Sequence, residues 1–246
     1  MKLLVCISKT PETTAKIAFT DDNSNFDTNG VQFIMNPYDE WYALVRALEL
    51  KEEHGGTVTV INVGPPSNDV IIRKALAIGA DDAVRIDAEP LSARFTANNI
   101  AQYAKDKQFD VVFTGKETID FSGAEVGGMI ADELDIPFVS FASHLSHDGK
   151  VATVTRDIEG GVEVVEVNGP FVVSASKGLA EQRIPNMRGI MMAKRKPMEV
   201  IEAVDASNPV ELVAYEYPEA KKGIKMIDPE DMDELVRLLK EEAKVI

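Results

Sequence analysis

Along residues 1–134 the spacing of apolar positions switches back and forth between two patterns. Residues 2–7, 57–64 (TVTVINVG), 83–86 (AVRI) and 110–115 (DVVFTG) are short, near-continuous apolar runs. Between them apolar residues recur every three or four positions. The first set is Ala43, Leu44, Ala47, Leu48 and Leu50, and the second is Ile71, Ile72, Ala75, Leu76 and Ile78; residues 93–107 and 125–134 follow suit. Short runs without alternation describe strands buried on both faces, and the three-to-four spacing describes amphipathic helices. Strand and helix in turn predict an α/β fold, a doubly wound and mostly parallel sheet covered by helices on both sides. Asn36-Pro37 predicts the start of the first helix: Asn36 suits the N-cap, Pro37 the first helical position, and Asp39 and Glu40 the positive end of the dipole. Gly55-Gly56 ends it. The polar stretch 20–30 reads as a loop or a hairpin.

The pattern changes after Pro137. Residues 150–158 and 162–167 flank Glu159-Gly160-Gly161, a hairpin signal, and 170–176 is a further strand. Antiparallel strands added to the parallel sheet are expected here. Residues 198–227 show no long period and are expected as an extended arm. The arm ends in a helix capped by Asp228-Pro229, with Met232, Leu235, Leu239 and Ala243 on one face. This divides the chain into a nucleotide-binding α/β region, 1–197, and a C-terminal arm with its helix, 198–246.

Composition narrows the function. A net charge of -15 argues against general nucleic-acid binding, which needs a basic footprint. One cysteine permits no internal disulfide and suits a reducing compartment. The apolar run near the start, Leu3–Ile7, is too short to cross a bilayer, so a soluble, cytoplasmic protein without membrane insertion is expected. Cys6 with His54, His144 and His147 has no zinc-ligand spacing, and neither a serine triad nor a P-loop is present. Cys6 itself reads as a core residue rather than a nucleophile.

Nucleotide binding has more support. In an open parallel sheet, ligands sit beyond the carboxyl ends of the strands. Cys6-Ile7-Ser8, Val63-Gly64-Pro65 and GKETIDFSGAEVGG (115–128) all leave such ends. Gly115, Ser122, Gly123, Gly127 and Gly128 surround a helix start, where small residues let backbone N–H groups approach a phosphate. The same glycines also serve a tight turn and close packing, and Asp120 and Glu125 would repel a phosphate unless they point away.

Four segments together resemble the β subunit of an electron transfer flavoprotein: MNPYDEWYALVRALELKE (35–52), GKETIDFSGAEVGG (115–128), VTRDIEGGVEVVEVNGPFVVS (154–174) and LAEQRIPNMRGIMMAKRKPMEVI (179–201). The likeness runs nearly the whole chain, and the last segment is similar to the signature that identifies that family. It implies a heterodimer with an α subunit that holds most of a shared FAD, and a structural AMP in this subunit. It also implies electron flow from acyl-CoA dehydrogenases and related flavoenzymes to a quinone oxidoreductase. By position the AMP pocket would use Cys6, Asn36, Val63 and the run Gly115-Lys116-Glu117-Thr118-Ile119-Asp120-Phe121-Ser122-Gly123-Ala124-Glu125-Val126. Tyr38 would lie toward the isoalloxazine, and Arg156 and Asp157 near the subunit and flavin interface, where a surface salt bridge is the plainer reading. The loop 120–126 matches neither the AMP-binding pattern nor that of electron-bifurcating members, which place a second FAD in the pocket. A stand-alone adenine-nucleotide module, similar to universal stress proteins, is the alternative; it would not need residues 150–246.

The segment 178–197 stands apart: Lys177 to Lys196 holds six basic residues and one acid on an acidic chain, with Met187, Met191 and Met192 among them. In the family this loop docks on dehydrogenases through an anchor, usually leucine, which is Met187 here. Ala180-Glu181-Gln182-Arg183 replaces the usual Asn-Glu-Pro-Arg. The resemblance assigns docking to Arg183, Met187, Arg188, Ile190 and Met191. A flexible, polarizable methionine suits an anchor that fits several pockets, and the basic residues suit electrostatic steering. Alternatively Ile190, Met191 and Ala193 belong to a short helix packed on the protein's own core, with Lys194–Lys196 as its solvated end.

Overall fold

The computed structural model describes residues 1–90, 92–204, 210–220 and 223–246. Strand β1 (Lys2–Cys6) is followed by β2 (Lys9–Pro11), the hairpin of β3 (Phe19–Thr20) and β4 (Asn25–Phe26), and β5 (Phe33–Met35). Helix α1 (Asp39–His54), β6 (Thr57–Val63), α2 (Asp69–Ile78), β7 (Asp82–Asp87), α3 (Ala93–Ala104), β8 (Val111–Gly115) and α4 (Val126–Leu134) then alternate. After them come β9 (Phe138–His147), β10 (Val151–Ile158), β11 (Gly161–Asn168), β12 (Phe171–Ala175), α5 (Met187–Ala193), β13 (Met198–Glu202) and α6 (Met232–Arg237).

The described residues form two units, 1–18 with 27–213 and 19–26 with 214–246. The first holds a nine-stranded sheet in the order β11-β10-β9-β12-β8-β1-β6-β7-β13. Every pairing from β9 to β13 is parallel; β10 and β11 add the antiparallel edge that the hairpin signal foretold. The chain winds outward from β1 through β6 to β7, then returns to the other side of β1 as β8. The strand order therefore reverses between β1 and β8, and the fold is doubly wound. Side chains of β1 alternate between two cores. Leu3 and Val5 pack with α1 and α2 residues such as Leu44 and Leu76, while Leu4 and Cys6 pack with α3 and α4 residues such as Ile100 and Ile130. No helix among the described residues is long and apolar enough to cross a membrane.

Three expectations change. The stretch expected as an arm from 198 begins as strand β13, parallel to β7 from Met198↔Ala83 to Glu202↔Asp87. Its five residues sit on a sheet edge, where half-exposed positions give no clear alternation. Residues 205–209 and 221–222 of that arm lie outside the described residues. Strand β9 was not foreseen because it carries an extra residue relative to both neighbours, which breaks the period of two. In the second unit, Asp231 rather than Asp228 caps α6, accepting from Glu234 N at 3.1 Å, and Leu238–Ala243 continue as a wider π turn. There Phe19 stacks on Tyr215 with ring centres 4.7 Å apart.

Helix α5 does form, but not as the core-packed alternative described it. Ala193 is buried, whereas Met187, Ile190, Met191 and Met192 are exposed. Lys196 is not a solvated end either: its ammonium donates to Leu76 O at 2.9 Å and to Ala80 O, closing the C-terminus of α2. In return Arg73 of α2 donates to Ala193 O and Lys196 O at 2.8 Å each, closing the C-terminus of α5. Each helix caps the other with a cation placed where the dipole favours it. Contact is close enough that a Cβ on Gly189 would stand 2.4 Å from Ala77 O, a backbone atom that cannot yield alone. Gly189→Ala is therefore expected to push α5 off α2 and cost about 1–3 kcal/mol, read as a lower urea midpoint at unchanged m-value.

Candidate functional site

The crevice beyond β1 and β8 is closed by Asn36. Its side chain is fully buried at 0% exposure. The amide nitrogen donates to Glu117 O at 3.0 Å, and the amide oxygen accepts from Ile119 N at 3.1 Å. Its backbone N–H donates to Ser8 O at 2.9 Å. One residue, through side chain and backbone together, thus ties the exit of β1, the approach to α1 and the loop after β8. This corrects the N-cap expectation: α1 begins at Asp39, after Tyr38 in a left-handed conformation (φ 63°) with no side-chain cap. Asn36 is spent across the crevice, where a buried amide satisfies otherwise stranded backbone groups.

Glu40, in the first turn of α1, is also buried and accepts from Ser8 N at 2.6 Å. Burial pushes its carboxyl up to about 8 against the downward pull of that hydrogen bond, with Asp120 and Asp39 adding repulsion. It is mostly neutral at pH 7. Burial, with Glu40 beside it, also pushes the Cys6 thiol far up, so the core reading of Cys6 holds and a thiolate nucleophile does not.

Beyond β8 the loop opens. Lys116 N donates to Ala175 O at 2.9 Å, joining the exits of β8 and β12, while the Lys116 ammonium pairs with Glu117 at 3.3 Å. Thr118 O accepts from Ser122 N at 2.9 Å. Asp120 turns back to accept from Phe121 N, and Ile119, Phe121, Ser122, Gly123, Ala124 and Glu125 are exposed. Ser122 and Ala124 are left-handed at φ 50° and 54°. Helix α4 then starts at Val126 with no acid in its first turn. Gly127 also allows close packing, since a Cβ there would meet Thr114 Oγ1 at 2.8 Å and the Phe138 ring at 3.0 Å. Cys6, Val63 and Val126 meet on one face of the sheet.

Lys116 forms a shared wall between two open hollows. One, of about 240 Å³, is lined by Tyr38, Asp39, Tyr42, Glu117, Ile119 and Lys177. The other, of about 500 Å³, is lined by Phe141, Arg156, Asp157, Ile158, Glu159 and Ser176. The residues to which the resemblance assigns docking lie elsewhere, on and before α5. The Arg183 guanidinium grips Glu52 at 2.6 and 2.9 Å, and its carbonyl accepts from Trp41 Nε1, so its charge is engaged within the chain. Ile184 and Met187 are 87% and 75% exposed, and Arg188 and Met191 are exposed with them.

With this geometry in view, comparison with known proteins identifies the chain. The family model described as the electron transfer flavoprotein domain matches residues 24–206. The electron transfer flavoprotein subunit beta of Bacillus subtilis (strain 168) is 36% identical over 260 residues, covering 100% of both chains. The protein of that name from Mus musculus is 33% identical, covering 100% of this chain and 99% of its own. Protein FixA of Azotobacter vinelandii is 34% identical over 84% of this chain and 76% of its own. The chain belongs to the electron transfer flavoprotein β-subunit family.

Beside the crevice the backbone donors and nearby carboxyls are as follows. The first-turn N–H groups of α4 have no partners within the helix and no acid among them. Glu40 is mostly neutral near pH 7, whereas Asp120, which accepts from Phe121 N, and Glu125 at the N-cap of α4 are exposed carboxylates beside these donors. Residues that sequence reasoning missed complete the picture. Glu40 suits the helix dipole by position, while its spacing to Ala43, Leu44 and Ala47 puts it on the buried face. Asn62, Asn68 and Arg85 fill the mouth of β6: Asn62 donates to Ile7 O at 2.8 Å, Asn68 to Asn62 at 2.9 Å, and Arg85 to Gly64 O at 3.0 Å. Phe141 had no signal, because the bulge hides it.

Glu40 has a pH signature. From pH 4.5 to 8 the unfolded carboxylate is ionised while the folded one keeps its proton, so stability falls as pH rises through that window. Glu40→Gln keeps an acceptor for Ser8 N and removes the slope. The variant is expected to match the wild type near pH 4.5 and exceed it by a few kcal/mol above pH 8, measured by urea unfolding across that range.

Proposed function

We propose that this chain is the β subunit of a heterodimeric electron transfer flavoprotein, which carries electrons from acyl-CoA dehydrogenases and related flavoenzymes to a quinone oxidoreductase. The observation that carries this reading is the full-length likeness to proteins named as that subunit, which extends through residues 150–246. A stand-alone nucleotide sensor would need no such C-terminal half. A bound flavin supplies the redox chemistry, accepting and releasing electrons singly or in pairs. This chain's residues do the positioning. Lys116, Arg156 and Asp157 face the open hollow that an α subunit with its FAD would cover, while Asn36, Val63 and the first turn of α4 hold AMP in the crevice. Residues 198–246 extend the contact with the α subunit, and the single buried cysteine suits a cytoplasmic setting.

The face of Ile184, Met187 and Met191 is the docking surface for dehydrogenases, with Arg188, Lys194 and Arg195 steering acidic partners during a brief encounter. A single flexible anchor suits a carrier that must bind quickly and leave quickly.

Two measurements test the reading. Co-expression with an electron transfer flavoprotein α subunit is expected to yield a yellow heterodimer whose extract contains one FAD and one AMP. A colourless chain that ignores the α subunit would refute it, and two FAD without AMP would replace the simple carrier with an electron-bifurcating form. Met187→Glu is expected to raise the KM of an acyl-CoA dehydrogenase for the heterodimer about tenfold, with flavin content unchanged.

A further inference from the structure

Residues 180–186 lead into α5 without regular secondary structure. The stretch follows the buried Leu179 and ends at Asn186, whose side chain accepts from Gly189 N at 2.8 Å. Between those points, the hydrogen bonds that join 180–185 to another described element are all made by Arg183. Its carbonyl accepts from Trp41 Nε1 at 3.1 Å, near the start of α1. Its guanidinium donates both arms to the Glu52 carboxylate at 2.6 and 2.9 Å, near the end of the same helix, with Glu49 at 3.8 Å. Trp41 and Glu52 stand about 16 Å apart along the helix axis. Two attachments so widely spaced fix the direction of the chain as well as its position.

The receptors suit that task. Glu49 and Glu52 set two carboxylates one turn apart toward the negative end of the α1 dipole, where they repel each other and the helix end. The Arg183 fork relieves that repulsion, and its hydrogen bonds hold the Glu52 carboxyl below the usual carboxylate range. The Trp41 ring is half-buried against the core, and the Lys74 ammonium of α2 lies over it, 4.4 Å from its centre. Lys74 follows Arg73, which closes the C-terminus of α5. Arg188, Lys194 and Arg195 are exposed, whereas Arg183 is half-buried with its charge turned onto its own chain.

We infer that Arg183, with Trp41 and Glu52 as its receptors, is a latch that presets the docking segment: a positioning residue, not a contact to the dehydrogenase. This rests on the docking reading above, and it reassigns a residue that the resemblance gives to the partner. Ile184, directly after the latch, and Met187, at the start of α5, point into solvent. With the latch closed they meet a partner already ordered, so association loses less conformational freedom. Opening it leaves the contact side chains unchanged and adds an ordering step before docking.

The test uses the complete heterodimer with its FAD and an acyl-CoA dehydrogenase as electron donor. Arg183→Ala removes the fork, Glu52→Ala removes only its receptor, and Trp41→Phe keeps a ring but no N–H donor. Each is expected to raise the KM for the heterodimer about three- to tenfold at unchanged kcat and flavin content, with faster amide hydrogen exchange across 180–190. Exchanging the pair, Arg183→Glu together with Glu52→Arg, is expected to bring KM back to within about twofold of wild type. A direct partner contact predicts otherwise. Glu52→Ala would then free the guanidinium and leave KM at or below the wild-type value, and Arg183→Glu would repel an acidic partner whatever stands at position 52. Either of those results, or unchanged exchange in Arg183→Ala, would overturn the inference. Met187→Glu, measured alongside, checks the docking reading itself: an unchanged KM there would remove that reading, and this inference with it.

Discussion

Everything at the carboxyl edge of the sheet depends on one buried amide. A doubly wound sheet leaves a gap where its strand order reverses, and backbone groups on both sides of that gap lack ladder partners. Asn36 answers three of them at once, on Ser8, Glu117 and Ile119. The tie sets how far the loop after β8 stands from the exit of β1. Two residues on, Tyr38 takes a positive φ of 63° before α1 begins. Placing Glu40 beneath the same crevice removes a charge rather than adding one, because a buried carboxyl without a cation holds its proton.

The second constraint is rigidity where recognition is expected. Reciprocal capping by Arg73 and Lys196 couples α2 and α5, and Arg183 with Trp41 pins the chain that leads into α5. Seven residues form too short a helix to persist alone in water. Docked in this way, α5 holds Met187 and Met191 outward on a firm base. The anchors remain adaptable because thioether side chains are, while their backbone is not. Positive φ angles occur at Tyr38, Ser122, Ala124 and Phe141, at the crevice, its loop or the hollows beside it, and also away from it at Asp21, Asp22, Asn23, Gln108, Asp135 and Lys244.

Much of this was readable in the chain. The apolar runs of β1, β6, β7 and β8 and the intervening helical spacing announced a parallel sheet, because burial on both faces leaves no other pattern. Glu159-Gly160-Gly161 announced the hairpin, and the four family segments announced the kinship that comparison then established. Less readable were the elements whose pattern is broken or faint. Strand β9 loses its alternation at the bulge, and β13 is a short edge. Nor does the position of Gly127 at a helix start announce that the Phe138 ring packs against it.

The division has a physical basis. Local preferences and periodic burial are written one residue at a time, so the sequence by itself determined the element order, the two-faced core and the basic, methionine-rich segment on an acidic chain. Partnerships between residues far apart in sequence belong to the tertiary structure alone. It decided that Asn36 bridges to residues more than eighty positions away rather than capping its own helix, that Lys196 closes α2 rather than facing solvent, and that Arg183 is engaged by Glu52. It also decided that Phe141 turns into a hollow beside Lys116 and Arg156, because only the competing registers of β10 and β12 create the bulge that aims it there.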